Sequence, residues 1–302
     1  MAGAGSPPRQ MMKGRLVPWL MVGPAVLVLG ALFLVPLALV LLQSFGYQAV
    51  GSTGLTLAPW KSALSDPEFM GALVLSFRVA LVSTLLAMAL GLGLAVLLER
   101  NAGRYAFLTR LPLVVPHLVV GYLVLLLLGR TGLMARLGHA LGLLAAPEQF
   151  PVLVNDRFGW GMILAYLWKE VPFVALMVYP LLGRGTAAWR DAARTLGATP
   201  WQALRHVILP LTWPAVAAAG AIIFAYSFGA FELPLLLGRS YPRALPVLAY
   251  QRYIDPDLGR RPEAMAIALV LTLAALAAAA CYLVSLARME RALASVRRDE
   301  HG

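Results

Sequence analysis

The sequence predicts an all-α fold, a polytopic membrane protein of six transmembrane helices. The 302-residue chain is 60% hydrophobic and only 13% charged, against roughly 25% charged residues in soluble domains, and its mean hydropathy is +0.77. Six apolar runs stand out, at about 18–42, 71–98, 112–129, 159–182, 213–237 and 263–287. Each reaches or approaches the roughly 20 residues that cross a hydrocarbon core of about 30 Å. Backbone groups in lipid must be satisfied within the segment, so these runs are helices and not strands.

The first run follows Arg9, Lys13 and Arg15 as the core of a secretory leader would. From Pro18 to Leu42 it is far longer than the roughly 7–15 apolar residues of such a leader, and no persuasive small-x-small cleavage site follows, so it reads as an uncleaved first span. In the second run Ala87, Gly91, Gly93 and Ala95 offer a small-residue face for close helix packing. Arg78, near the outer end of this run, is expected to snorkel toward the interface. The fourth run carries Lys169 and Glu170 just before Pro172, and the fifth carries Glu232 between Gly229 and Pro234. A charge at the centre of a span costs about 2.5–3.5 kcal/mol on insertion scales, so those that persist face protein or water. Two readings stand for them. Glu170 and Glu232 line a translocation path that Gly and Pro shape by breaking the helices, or Lys169 and Glu170 pair inside the bundle while Glu232 reaches the interface. Cys281, the single cysteine, lies in the sixth run and forms no intrachain disulfide.

Residues 1–17 and 288–302 read as short tails flanking a membrane domain at 18–287, with no internal domain boundary and no clear internal repeat. With the N-terminus inside, the loops and tails on the inner side hold 14 Lys and Arg against 9 on the other side. That bias places both termini in the cytoplasm. The loops at about 43–70, 130–158 and 238–262 then face outward, with Asp66, Glu148, Asp156, Asp255 and Asp257 among their basic residues; they are either a surface for a soluble partner or simply solvated. The net charge of +11 is spread over loops on both faces, which suits membrane anchoring and speaks against nucleic acid as a partner.

One polar segment interrupts this pattern. Residues 191–210 read DAARTLGATPWQALRHVILP. Gly197 can adopt the left-handed conformation that closes a helix, so a short helix over roughly 187–196 stops there. Thr199, Pro200 and Gln202 then form a cap, a first-turn proline and a capping box. Trp201, Leu204 and Ile208 make one apolar stripe, and Pro210 and Pro214 are expected to stop or kink the second helix. Two short helices joined by a glycine turn make a compact knob; an amphipathic loop lying on lipid headgroups is the blander alternative.

Catalytic signatures are missing. No phosphate loop, H-E-x-x-H, G-x-S-x-G or paired metal-ligand cysteines occur, and His117, His139, His206 and His301 are scattered. The chain is not expected to be an enzyme, and no cofactor or metal is expected. Any ATP hydrolysis belongs to another subunit.

The 191–210 segment closely resembles the EAA loop of binding-protein-dependent ABC importer permeases, whose pattern is E-A-A, three residues, G, nine residues, I-x-L-P. Asp191, Ala192, Ala193, Gly197, Leu209 and Pro210 fall in register. Asp191 stands where Glu is usual, and Val207 where Ile is usual. WKEVPF at 168–173 is similar to strings the family carries in its fourth span, and SFGAFELPLLLG at 227–238 resembles the polyamine, ferric-iron, thiamine and phosphonate branch. The resemblance covers essentially the whole chain. It implies the six-helix transmembrane domain of a type I ABC importer in the bacterial cytoplasmic membrane, with a coupling loop at 183–212. It also implies two cytoplasmic ABC ATPase subunits, a second permease subunit (a heterodimer rather than a homodimer, by analogy with that branch) and an extracytoplasmic solute-binding protein. Carboxylates at Glu170 and Glu232 favour a cationic solute such as a polyamine if they face the path, while a Lys169–Glu170 pair would be neutral. A secondary transporter or channel would share the hydropathy without needing the knob.

Overall fold

Asp66 and Pro67 start one of the longest helices of the chain: the Asp66 carboxylate accepts from the Glu68 backbone N–H, and Pro67 fills a first-turn position where its missing N–H costs nothing. The same logic recurs along the computed structural model, which describes residues 9–47, 54–101, 104–184 and 187–299. Residues 1–8 of the expected first tail, 185–186 of the expected coupling loop, and 300–302 of the expected last tail lie outside the described residues.

In order, the helices are α1 (Arg9–Ser44), α2 (Ala58–Ser65), α3 (Pro67–Arg100), α4 (Leu111–Val114), α5 (His117–Leu128), α6 (Leu133–Ala140) and α7 (Trp160–Arg184). They continue with α8 (Ala187–Thr195), α9 (Pro200–Ala203), α10 (Leu209–Gly229), α11 (Glu232–Leu237), α12 (Leu245–Tyr253) and α13 (Arg261–Asp299). There is no strand among the described residues. Six segments are long and apolar enough to cross a membrane: Met21–Ser44, Pro67–Arg100, His117–Ala140, Trp160–Leu182, Pro200–Gly229 and Leu258–Val284. α1 and α13 continue as helix to Arg9 and Asp299, into segments expected to be tails; the Ala, Glu, Arg and Met of 288–296 are strong helix formers.

The centre of the bundle is the α3–α7 seam. Ala87, Gly91 and Ala95 are buried at spacings of four, which puts them on one face of α3. A Cβ on Gly91 would stand 2.5 Å from Val174 Cβ and 2.9 Å from the Val171 carbonyl, so only glycine permits this approach. Gly93 meets nothing within 4 Å and is not part of the face expected to include it: two positions along a helix turn it by about 200°, away from α7. α10 packs against both α3 and α7, closing a core of Leu98, Val174, Val178, Leu182, Ile208, Val216 and Ile223. α1 lies at the edge against α13, and its leucines and valines from Val22 to Val35 are exposed, as lipid-facing side chains are.

Two of the expected spans are interrupted. The third breaks at Val115–Pro116, where Val115 is extended between α4 and α5, as the residue before proline usually is. The fifth ends at Gly229, passes through extended Ala230 and resumes at Glu232 as α11. Pro172 and Pro180, in contrast, lie inside an unbroken α7. Each proline removes one backbone donor, and packing against α3 and α10 holds the helix together.

Several charged residues in or beside the stretches 54–70, 130–158 and 238–262 are structural. Glu68 accepts from the Arg243 backbone at 2.8 Å and pairs with its guanidinium at 3.2 Å. Arg252 pairs with Asp66 and lies 4.0 Å from Glu263. These pairs fasten α12 and the 238–244 loop to the start of α3. Asp156 accepts from the Phe158 and Gly159 amides. Arg78 donates to the carbonyls of Arg157 and Phe158 and lies over the Phe158 ring, so its guanidinium is held by the turn that precedes α7.

Candidate functional site

Two features carry chemistry, one beyond the Arg184 end of α7 and one near the middle of that helix. The first is the knob between α7 and α10. α8 ends in a Schellman motif: the Gly197 amide donates to the Arg194 carbonyl at 2.9 Å and the Ala198 amide to that of Ala193 at 3.0 Å, with Gly197 at φ +81°. Thr199 and Gln202 then close the capping box, Gln202 N donating to Thr199 Oγ1 at 3.3 Å and Thr199 N to Gln202 Oε1 at 2.8 Å. Arg190 reaches back to Glu99 at the C-terminal end of α3, 2.5 Å away. Asp191 lies 3.9 Å from Arg194 in an exposed pair.

This frame holds apolar side chains out of the protein: Trp189 is 65% exposed, Leu196 88% and Trp201 66%. Asp191 and Ala192 are exposed beside them and Ala193 half-buried. Val207, Leu209 and Pro210 sit elsewhere, on the shaft that joins the knob to the fifth span, with Ile208 buried against the core. Pro210 does not stop the helix. Residues 204–208 form a π-helical turn in which the Leu209 amide donates to the Leu204 carbonyl, and α10 continues from there past Pro214. The wider turn accommodates Pro210, which cannot donate a backbone hydrogen bond.

The second feature is a cavity of about 250 Å³ among α4, α5, α7 and α10, lined by Leu113, His117, Lys169, Glu170, Phe173, Ile222, Ile223 and Tyr226. Lys169 and Glu170 are both buried and do not pair with each other among the described residues. Lys169 Nζ donates to the Val115 carbonyl at 2.5 Å and lies 3.4 Å from His117 Nδ1. The break at Val115–Pro116 frees that carbonyl from helix hydrogen bonding, so the irregular backbone and the buried ammonium satisfy each other. Glu170 Oε1 accepts from Ser227 Oγ at 2.7 Å, while its Oε2 has no protein partner.

The cavity brings Lys169 and Glu170 together; Glu232 opens α11, is exposed and does not line it, but its carboxylate stands near enough to act electrostatically on Lys169, His117 and Tyr226. Sequence reasoning missed His117, Tyr226 and Ser227. His117 and Tyr226 rings face each other at 4.8 Å. The available signals were the Pro116–His117 pair at a helix start and Tyr226–Ser227 just before Gly229.

Residues 87–295 match the family described as binding-protein-dependent transport system inner membrane component. The molybdenum transport system permease protein ModB of Mycobacterium bovis is 33% identical over 220 residues, 70% of this chain and 78% of that protein. Sulfate permease 2 (chloroplastic) of Chlamydomonas reinhardtii is 32% identical over 63% of this chain and 48% of its own length. A crystallised chain of a bacterial alginate ABC transporter, solved with an alginate pentasaccharide-bound periplasmic protein, superposes with a TM-score of 0.75 at 17% identity, covering 90% of this chain and 94% of that one. That likeness shows the fold.

Proposed function

Since the chain belongs to the binding-protein-dependent transport system inner membrane components, a family of multi-pass ABC importer permeases, we propose that its knob is the docking element for a cytoplasmic ABC ATPase. The observation that carries this reading is the outward set of Trp189, Leu196 and Trp201 on a doubly capped frame. Large apolar side chains held rigidly in the open are what a partner's cleft buries. On this reading the knob and both termini are cytoplasmic, residues 18–287 form the membrane domain, and 1–17 and 288–302 are its cytoplasmic tails. A second permease chain completes the path, and a solute-binding protein delivers the solute from the other side.

For the solute we propose a small oxyanion rather than a polyamine. Support comes from the relatives whose names refer to molybdenum and sulfate, and from a cavity that sets the ammonium of Lys169 beside His117. The cation expectation rested on two carboxylates in one path; Glu170 lines the cavity, while Glu232 acts on its Lys169 and His117 only from outside the lining. The test is reconstitution of the permease with its ATPase and binding protein in liposomes. ATP-dependent uptake of molybdate or sulfate is expected; uptake of spermidine with no oxyanion uptake would overturn the substrate assignment, and ATP-independent uptake would overturn the coupling.

A further inference from the structure

α6 and the stretch behind it enclose an apolar groove of about 560 Å³ that belongs to neither feature described above. Met134, Leu137 and Leu141 form one wall, and Leu143, Leu144 and Phe150 the other. The groove is open, with Leu141 72% exposed and Leu143 77%. On the same short segment, 129–151, Arg130 and Arg136 are exposed and Glu148 is the only acidic residue. α6 packs mainly against α5 and the turn at Pro147–Gln149, so the central bundle does not cover it.

Its position along the membrane normal follows from the third span. α5 is 12 residues long, roughly 18 Å at 1.5 Å per residue, and α4 with Val115 and Pro116 brings the crossing close to the thickness of the hydrocarbon core. The Gly132 amide donates to the Gly129 carbonyl at 2.8 Å, turning the chain at once. α6 therefore starts at the bilayer boundary opposite the knob. α5, against which α6 packs, also exposes Leu118, Tyr122, Leu123 and Leu126.

We propose that α6 and residues 141–151 form a lipid-binding platform. The groove takes phospholipid acyl chains at the membrane surface, and Arg130 and Arg136 meet the headgroup phosphates. Amphipathic helices with this division of apolar and basic residues settle about 5–10 Å into the headgroup–acyl boundary. Arginine forks match phosphate oxygens. A soluble partner would have to bury several leucines that otherwise stand in water, whereas at the bilayer boundary acyl chains are within reach of them. The proposal requires only that the chain spans the membrane, and its test is independent of ATPase coupling.

The test is spin-label accessibility on the full chain with Cys281→Ala, reconstituted in phosphatidylcholine–phosphatidylglycerol vesicles. Single labels go at Leu137→Cys and Leu143→Cys, with Glu148→Cys as the aqueous reference. At 137 and 143, collision with oxygen should exceed collision with a nickel chelate several-fold, and the ratio should reverse at 148. Nickel accessibility at 137 and 143 equal to that at 148 would overturn the proposal. So would protection appearing only after addition of the solute-binding protein, which assigns the groove to that protein. Dipolar broadening between two labelled chains would assign it to a permease–permease contact and likewise overturn it.

Discussion

At Gly91 the bundle's close packing depends on a missing methyl group. A Cβ there would fall 2.5 Å from Val174 Cβ, and overpacking of this kind costs about 1–3 kcal/mol. Gly91→Ala is expected to lower the thermal midpoint of the purified protein in detergent, whereas Gly93→Ala, with open space around its Cβ, leaves it unchanged; equal midpoints for the two would refute the seam. Gly197 depends on its backbone instead. Nothing crowds its Cβ, but φ is +81°, a conformation that costs an L-residue roughly 1–2 kcal/mol. Gly197→Val should insert normally yet uncouple ATP hydrolysis from uptake, and substrate-stimulated hydrolysis at the level of the unaltered protein would contradict this. For Lys169, which holds the broken third span through the Val115 carbonyl, Lys169→Gln should reduce uptake at least tenfold while the chain still reaches the membrane. Unchanged transport would remove it from the path.

Among the elements, the knob was the most legible. Thr199, Pro200 and Gln202 announce a helix start by their own chemistry, and Gly197 announces a stop, so its local hydrogen bonds could be written down from sequence. The join to α10 could not. Pro210 is a stop signal by local rules, and what overrides it is a π-helical turn whose register depends on Ile208 packing into the core. The same limit applies to Pro172, which tertiary packing holds inside a continuous α7. If the knob docks on an ATPase, Trp201 is its best anchor, being large, exposed and on a capped helix. Trp201→Ala should weaken ATPase binding by about 2 kcal/mol, roughly 30-fold, in a pull-down titration; an affinity unaffected by the substitution would move the contact elsewhere.

At the scale of the whole molecule, hydropathy located six spans because every lipid-crossing segment must be apolar along its length. It could not locate the break at Val115–Pro116, which lies inside an apolar run, nor the cavity beside it, whereas Gly229 and Pro234 signalled the break at Ala230. Long-range polar pairing was equally hidden. Glu68 and Arg243 are 175 residues apart and sit in loops that read as merely charged. Glu68→Arg should destabilise the end of the bundle where α3 starts, seen as faster proteolysis of the 238–262 loop, and adding Arg243→Glu should restore part of the loss. No restoration in the double variant would mean the pair is incidental.

The Arg190–Glu99 clamp has a mechanical consequence. The knob is joined to α7 and α10 by the chain, but this ion pair joins it to the far end of α3 as well. α3 in turn is locked to α7 along the Ala87–Gly91–Ala95 face. If Trp201 docks on an ATPase, a load applied there would reach the α3–α7 pair at two points, through the chain and through this ion pair. Arg190→Ala would remove the second of these joints and leave the chain connections alone to carry that load.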